Sequence, residues 1–301
     1  MRAIIICFSQ TGNTKKIAEK IRHGILEEID QCDLIDMQKV DVSAPMEYDL
    51  IGLGCPVFYY KEPFNVRDFI EKLPQQNNKH WFVFCTHGAV MGQTLFSMTE
   101  RLEKVGAFVI GSHHTYADIT VPFYPKHTLT SGHPDEQDLK EAFDFGKNIV
   151  CCSKAASEGD TSCVTRPRTA PEDWARNEAD MLTLEMLSQV MPRLSINLET
   201  CIQCGECQDF CPVSGIDIES DPPRIQEPCI YCLHCTSICP TCSIEADWSQ
   251  LVKMAPANYD RYRKALNAAK DRGEFRWLID PDTVDCSYPL YKQREREIKH
   301  A

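Results

Sequence analysis

The chain begins with "RAIIICFSQTGNTKK" (residues 2–16), in which an apolar run passes through six small polar residues into a charged segment. The apolar run at 2–8 is rich in β-branched residues, as expected of a strand buried on both faces. Beyond it, isoleucine recurs at every fourth position from Ile17 to Ile29, which predicts an amphipathic helix. A strand, a polar loop and a helix therefore follow one another, and this unit decides the fold class.

The same unit recurs through the first half of the chain. Five apolar strands alternating with helices predict an α/β fold, in which a parallel sheet is covered by helices on both faces. Ligands of such sheets bind at the carboxyl ends of the strands, so we expect the loops after the first, third and fourth strands to line a site. The further strands are predicted at 32–37, 48–56, 80–86 and 107–113, and the further helices near 63–73, 93–105 and 135–150, the last capped by Asp135.

Composition excludes several classes of function. The 301 residues carry a net charge of −12, which is spread over both halves, so neither half offers a basic surface for nucleic acid. An acidic surface can meet basic partners, although a solvated acidic face is its more common meaning. No apolar stretch approaches the length of a membrane span, and the apolar start lacks the pattern of a signal peptide, so a cytoplasmic protein is expected.

Cysteine is the most informative residue type. The chain has seventeen cysteines and no export signal, which favours metal binding over a disulfide framework. Eight of them lie in two segments, "CIQCGECQDFCP" (201–212) and "CIYCLHCTSICP" (229–240), and both read C-x2-C-x2-C-x3-C-P. This spacing is typical of two 4Fe-4S clusters, each held by three cysteines of one segment and the fourth of the other. The predicted sets are Cys201, Cys204, Cys207 and Cys239 for one cluster, and Cys229, Cys232, Cys235 and Cys211 for the other.

Structural zinc is the alternative for these cysteines, but it uses paired C-x2-C hooks with four ligands per ion, which two runs of three cysteines do not match. The additional Cys242 is either a spare ligand or, as we expect, a small buried residue. At these positions the segment resembles a bacterial-type two-cluster ferredoxin, over roughly 60 residues. The resemblance implies a small α+β domain.

The polar loop at 9–14 has the position of a phosphate-binding loop. A triphosphate loop needs G-x4-G-K-[ST] and a dinucleotide loop needs G-x-G-x-x-G, and the sequence has neither. What remains is a set of hydroxyl and backbone N–H groups at a helix N-terminus, which can bind a monophosphate. An ordinary strand-to-helix connection is the structural alternative.

The loop pattern S-x-T-G-x-T resembles the FMN phosphate loop of flavodoxins. Two further loops support the resemblance, "GCPVFYYKEP" (54–63) with its aromatic residues and "THGAVMG" (86–92) with its glycines. Packing between domains is the alternative for Tyr59 and Tyr60, and an ordinary loop histidine is the alternative for His87. The resemblance implies a doubly wound five-stranded sheet of order 2-1-3-4-5 and FMN contacts from Ser9, Gln10, Thr11, Gly12, Asn13, Thr14, Pro56, Val57, Phe58, Tyr59, Tyr60, Thr86, His87, Gly88 and Gly92.

The expected organisation has four parts: a flavodoxin-like domain at 1–150, a linker with a short helix at 151–193, a ferredoxin-like domain at 194–250 and a C-terminal helical extension at 251–301. The whole chain resembles the flavodoxin-ferredoxin fusion proteins of anaerobes. This implies an electron-transfer protein that moves low-potential electrons among FMN, two 4Fe-4S clusters and redox partner proteins, with homo-oligomerisation left open. Two alternatives remain, a reductase of a small substrate such as a quinone or nitro compound, and a redox sensor or reductive activator of a client protein.

Overall fold

The computed structural model describes residues 1–167 and 171–300, apart from the side chains at 299 and 300. Residues 168–170 of the predicted linker and Ala301 of the predicted extension lie outside the described residues. The chain divides into two compact units. The first consists of Met1–Asp118 and Gly132–Asp180, and the second consists of Ile119–Ser131 and the chain from Met181 onward.

A five-stranded parallel sheet forms the centre of the first unit. Its strand order is β2-β1-β3-β4-β5, which confirms the predicted doubly wound topology. The carboxyl ends of β1, β3 and β4 therefore meet at one edge of the sheet, where ligands of this topology bind. The strands are β1 (Ala3–Cys7), β2 (Cys32–Asp36), β3 (Leu50–Pro56), β4 (His80–His87) and β5 (Phe108–Tyr116).

The first four helices of the first unit begin close to the predicted positions. Asp135 caps α4 as expected, because its side chain accepts the backbone N–H groups of Gln137 and Asp138. This helix continues past its predicted end at 150 to Ser157. The helices are α1 (Asn13–Leu26), α2 (Phe64–Lys72), α3 (Thr94–Lys104), α4 (Glu136–Ser157) and α5 (Asp173–Met181).

Two hydrophobic clusters cover the two faces of this sheet. Alternate residues of β1 belong to different clusters, with Ile4 in one and Ile5 in the other, as the two-residue period of a strand requires. The isoleucine stripe of α1, represented by Ile17 and Ile21, is fully buried in the second cluster. Because both faces of the sheet are buried, a ligand can reach the sheet only at the strand ends and the loops that follow them.

The second unit consists of short elements. β6 (Ser195–Ile196) pairs with β9 (Ile244–Glu245), and β7 (Ile216–Asp217) pairs with β8 (Arg224–Ile225), both antiparallel. Among the described residues, no helix is both long and apolar enough to cross a membrane. The helices are α6 (Leu184–Val190), α7 (Glu206–Asp209), α8 (His234–Ile238), α9 (Ser249–Asp271) and α10 (Leu290–His300).

Three features depart from the expectations. The single short helix predicted before the cysteine segment is two helices, because the side chain of Thr183 caps a new start at α6. The helix predicted near 257–272 begins at Ser249 and passes through Pro256. Cys152 and Cys163, to which the sequence assigned no role, form a disulfide that joins α4 to the segment after it.

Candidate functional site

The polar loop between β1 and α1 leaves the first two backbone N–H groups of the helix, those of Asn13 and Thr14, without a side-chain cap. Gly12 occupies the N-cap position at a φ of 95°, and no side chain bonds the first backbone N–H groups of the helix from that position. The left-handed conformation is one that glycine adopts without a steric penalty. Uncapped N–H groups and the positive end of the helix dipole are the features that bind a phosphate dianion.

Side chains of this loop connect it to neighbouring loops. The hydroxyls of Thr14 and Thr86 share a hydrogen bond of 2.7 Å, which joins the loop after β1 to the end of β4. The side-chain amide of Asn13 donates to the carbonyl oxygen of Asp118 at 2.9 Å. Ser9 accepts the N–H of Lys15 at 3.2 Å.

Gln10 supplies the test of whether a phosphate group fits this loop. Its amide nitrogen Nε2 is buried and has no hydrogen-bond partner. A buried donor without an acceptor is costly and rare in folded proteins, and an anionic oxygen in the loop would satisfy it. The orphaned donor and the uncapped N–H groups therefore fit a phosphate group.

The loop after β3 contains a tight two-residue turn. Phe58 and Lys61 exchange both backbone hydrogen bonds, at 2.9 and 3.0 Å, around Tyr59 and Tyr60. Both tyrosines have positive φ angles, 52° and 63°, as in a type I′ turn. Bulky residues rarely adopt this conformation, and such local strain clusters at ligand-binding sites.

The three aromatic residues of this loop have different surroundings. The ring of Phe58 packs edge-on against Phe8, with 6.2 Å between the centroids. The ring of Tyr60 packs edge-on against Trp174 of α5, with 5.5 Å between the centroids. Tyr59, at the turn itself, is half-buried.

The loops after β3 and β4 are joined to each other. The N–H of Val57 donates to the carbonyl oxygen of Thr86 at 2.9 Å, and the N–H of Gln93 donates to that of Tyr60 at 2.7 Å. Gly92 has a φ of 58° and lies directly against the backbone of Tyr60. The structure therefore brings together the three loops that the sequence selected.

His87 is engaged on both ring nitrogens. Its Nδ1 donates to the carbonyl oxygen of Gly88 at 3.1 Å, since a carbonyl can only accept. Its Nε2 then accepts from Nδ1 of His114 at 3.0 Å. Burial lowers the pKa of His87 well below its usual value, and the neighbouring His114 lowers it further. A neutral imidazole thus fixes this loop, and its partner on β5 could not be predicted from the sequence.

The two cysteine segments have left-handed residues at the same motif positions. Left-handed residues occur at matching places, Gln203 with Tyr231 and Gly205 with Leu233, immediately before α7 and α8. The third matching pair is Ser214 and Cys242, at φ angles of 54° and 53°. Cys242 is half-buried and occupies the turn position of Ser214, which differs from its predicted burial.

The cysteines of one segment approach the last cysteine of the other. Burial raises the pKa of the Cys207 thiol, and the neighbouring Cys239, Cys204 and Cys201 raise it further. Burial likewise raises the pKa of Cys235, whose neighbours are chiefly Cys232, Cys229 and Cys211. Each of these two thiols thus has two cysteines of its own segment and the last cysteine of the other segment among its neighbours, and Cys207 is a further, weaker neighbour of Cys235. The assignment of four cysteines to each cluster stays a prediction from the spacing.

Backbone donors point at the fourth cysteine of each set. The N–H of Gly215 donates to Sγ of Cys211 at 3.1 Å, and the N–H of Ser243 donates to Sγ of Cys239 at 3.2 Å. Burial acts to raise the pKa of Cys239, but hydrogen bonds from Thr241 and Ser243 outweigh it, so the pKa is lowered. Such N–H donors stabilise thiolate ligands, so the donor chemistry fits an iron-sulfur cluster.

The described residues contain no group of three or more His, Cys, Asp or Glu side chains placed to hold a metal ion. In a 4Fe-4S cube each thiolate binds a different iron, so the four ligands surround a cluster and do not meet at one ion.

Family models match both halves of the chain. A flavodoxin domain model matches residues 4–105, and a 4Fe-4S dicluster domain model matches residues 193–240. These matches coincide with the parallel sheet and with the paired cysteine segments.

Curated relatives match the first half. The uncharacterized protein MJ0298 of Methanocaldococcus jannaschii is 30% identical over 158 residues, which are 50% of this chain and 99% of that protein. The flavodoxin-like domain-containing protein BilS of Clostridioides difficile is 30% identical over 176 residues, 50% of this chain and 97% of that protein. A solved flavodoxin from the domain Archaea is 24% identical, with a TM-score of 0.42 over 51% of this chain and 99% of that one.

The parallel sheet and the paired cysteine segments thus agree with the family models. The chain belongs to the flavodoxin family, it carries a 4Fe-4S dicluster domain behind its flavodoxin domain, and this combination makes it a redox protein of the electron-transfer class.

Proposed function

We propose that this protein carries low-potential electrons between a bound FMN, two 4Fe-4S clusters and external redox partner proteins. The observation that carries the proposal is that thiols of the two cysteine segments are neighbours of one another. The same chain also contains a flavodoxin domain. FMN exchanges electrons singly or in pairs and each cluster exchanges one. Fusion of the carriers raises the effective concentration of one at the other.

The loop at 9–14 holds the FMN phosphate in this proposal. The uncapped N–H groups at the start of α1 and the amide of Gln10 donate to the phosphate oxygens. Thr14 links this anchor to Thr86 at the end of β4. The remaining residues of the loop, Ser9, Thr11 and Asn13, shape the cradle around the anion.

The ring of FMN lies between the loops after β3 and β4. At least one of the three aromatic residues of the loop after β3, Phe58, Tyr59 and Tyr60, contacts the ring in this proposal. The segment from Gly88 to Gly92 supplies backbone groups to the ring edge. Pro56, Val57 and His87 position these loops rather than react.

Each cluster takes four thiolates from the two cysteine segments. Cys239 completes the set that contains Cys201, and Cys211 completes the set that contains Cys229. The Cys204 thiol is exposed, so one corner of its cluster meets the solvent. An exposed corner suits electron exchange with a partner protein. It also leaves the cluster accessible to oxygen, which is consistent with an anaerobic role.

The partner in this proposal presents a basic surface. Residues 194–250 contain nine acidic side chains and one basic side chain, Arg224, which pairs with Asp217 at 3.3 Å. Ile202 and Phe210, beside the cluster cysteines, are 64% and 59% exposed. Acidic groups around exposed apolar side chains favour a docking surface for a protein of opposite charge.

Anaerobic reconstitution of the full chain tests this proposal. We expect one FMN and about eight irons per chain, because two cubes contain eight irons. The variant Cys239→Ser removes a ligand from one set and should retain about half of the iron. Cys242→Ser is the matched control, because its position corresponds to Ser214, and it should retain all of the iron.

Three results would contradict the proposal: a chain that binds no FMN, a chain that binds four irons or fewer, or a Cys242→Ser variant that loses iron as Cys239→Ser does. Rapid turnover of a quinone or nitro compound at the reduced flavin, without transfer to any protein, would favour a substrate reductase instead.

A further inference from the structure

The two cysteine segments differ in one contact at the end of their short helices. In the second segment, Arg294 of α10 donates to the carbonyl oxygens of Thr236 and Cys239, the latter at 2.8 Å. Thr236 belongs to α8, and Cys239 is the fourth ligand of its set. The planar guanidinium thus binds two adjacent carbonyls with separate N–H groups, which fixes its orientation.

The start of α10 is itself held in place. The N–H of Leu290 donates to the carbonyl oxygen of Tyr124 at 2.7 Å, and the N–H of Tyr291 donates to that of Pro122 at 3.0 Å. Pro289 forms an isolated bridge with Pro125. These bonds lie one turn before Arg294, so its side chain reaches the cysteine segment from an anchored helix.

The first segment provides an internal comparison. By motif position, Gln208 and Cys211 correspond to Thr236 and Cys239. Their carbonyl oxygens accept backbone N–H groups, at 3.1 Å from Cys211 and 3.3 Å from Ser214. Within the described part of the chain, no arginine side chain donates to either carbonyl. The two segments therefore match in ligand spacing and differ in this cation.

We propose that Arg294 is a positioning residue that raises the reduction potential of the cluster held with Cys239 above that of the cluster held with Cys211. The inference rests on the proposed function, because it needs both clusters. Reduction adds one electron to a cluster and makes or breaks no bond of the protein, and the electron comes from the redox partner or the flavin. A fixed positive charge beside a ligand stabilises the more negative reduced form.

Acidic neighbours on the same helix oppose this effect only weakly. Glu295 and Glu297 are exposed to solvent, so water and salt screen their charges. Arg294 is half-buried and touches the backbone of a ligand directly. The contribution of Arg294 therefore dominates, and electrons collect at the Cys239 cluster before they reach the Cys211 cluster.

The test is an anaerobic redox titration of the reconstituted full chain, followed by electron paramagnetic resonance. Cys239→Ser, which retains the other cluster, identifies which transition belongs to which cluster. In Arg294→Gln we expect the Cys239 cluster to become harder to reduce by about tenfold in its equilibrium constant, which is 59 mV for one electron. The potential of the Cys211 cluster should stay unchanged.

Two variants serve as controls. Arg296→Gln removes the same charge from an exposed position on the same helix and should shift neither cluster. Arg294→Lys keeps the positive charge but loses the pair of hydrogen bonds that the guanidinium makes. The reduction potential of the Cys239 cluster in this variant should therefore lie between those of the wild type and Arg294→Gln. If Arg294→Gln loses the iron of the Cys239 cluster, the potential is read from Arg294→Lys, and an unshifted potential in that variant overturns the inference.

The iron content separates this inference from the proposed function. A wild-type chain that holds about four irons contradicts the proposed function and overturns the inference with it. A wild-type chain with both clusters, whose potentials do not respond to Arg294→Gln or respond equally to Arg296→Gln, overturns the inference alone.

Discussion

Gly92 holds the loop after β4 against the loop after β3. It has a φ of 58°, and a Cβ added there would lie 2.1 Å from the carbonyl oxygen of Tyr60. The close approach of the Tyr59–Tyr60 turn to the backbone of residue 92 therefore requires a residue without a side chain at this position. Gly12 also has a positive φ, of 95°, but an added Cβ there would meet nothing within 4 Å.

We expect Gly92→Ala to weaken FMN binding by about tenfold or more, which corresponds to 1.4 kcal/mol. The substitution adds backbone strain and also displaces the turn at Tyr59 and Tyr60. Gly159→Ala is the matched control, because Gly159 has a φ of 93° and open space around it, outside the three loops. Each alanine should cost about 1 kcal/mol of unfolding free energy through the left-handed backbone, and Gly92→Ala should cost more, because its Cβ also meets the carbonyl oxygen of Tyr60.

Isothermal titration of the flavin-free chain with FMN measures the affinity, and urea unfolding measures the stability. Equal FMN affinities for the two alanine variants would show that the loops do not hold the flavin as proposed.

At this scale, the spacing of the cysteines was enough to place the dicluster segment, which a family model matches, because the motif itself has the spacing of cluster ligands. The role of each single cysteine stays a prediction. Sequence spacing could not predict the hydrogen bond between His87 and His114, because the two residues lie on different strands and only the sheet brings them together. The same holds for Gln10, since the sequence does not reveal that its amide is buried without an acceptor.

Among the elements, the ends of β4 and β5 share three histidines, of which His87 is buried and His113 and His114 are half-buried. Burial lowers the pKa of His113 to about 3, helped by its neighbour His114 and opposed by Asp138. Its ring stacks on Phe145 of α4, with 5.2 Å between the centroids. His113 is thus neutral in the folded protein, whereas in the unfolded chain it titrates near its usual value of about 6.5.

The sign of the pH dependence follows from these two values. Below about pH 6.5 the unfolded chain binds a proton that the folded protein does not bind, so the free energy of unfolding falls as the pH falls towards 3. His113→Gln should reduce this slope by up to about 1.4 kcal/mol per pH unit, which is the contribution of one proton. Urea unfolding at several pH values between 7.5 and 5 measures it, and a variant with an unchanged slope would contradict the assignment.

Element boundaries were harder to predict than element types. The helix expected near 257–272 begins earlier, at Ser249, and passes through Pro256, a residue type that usually ends or kinks a helix. The break between α5 and α6 depends on the hydroxyl of Thr183, which accepts the N–H of Met186. The parallel strands were predictable because their apolar runs are buried on both faces.

For the whole molecule, the fusion of two carriers is the feature that matters most. The flavodoxin domain and the paired cysteine segments were both evident from the sequence, because each has a local motif. The contact of Arg294 with the backbone of Cys239 was not evident, because it joins residues separated by 55 positions and has no motif. Such contacts between distant segments need a structure.

The most direct test of the central claim is transfer of an electron between flavin and clusters within one chain. The reconstituted protein is held under anaerobic conditions, its flavin is reduced by a short light pulse with a sacrificial donor, and the cluster absorption is followed in time. The account predicts that the clusters become reduced in a first-order process whose rate stays constant across a series of dilutions. A rate proportional to protein concentration, or electrons that remain on the flavin, would contradict it.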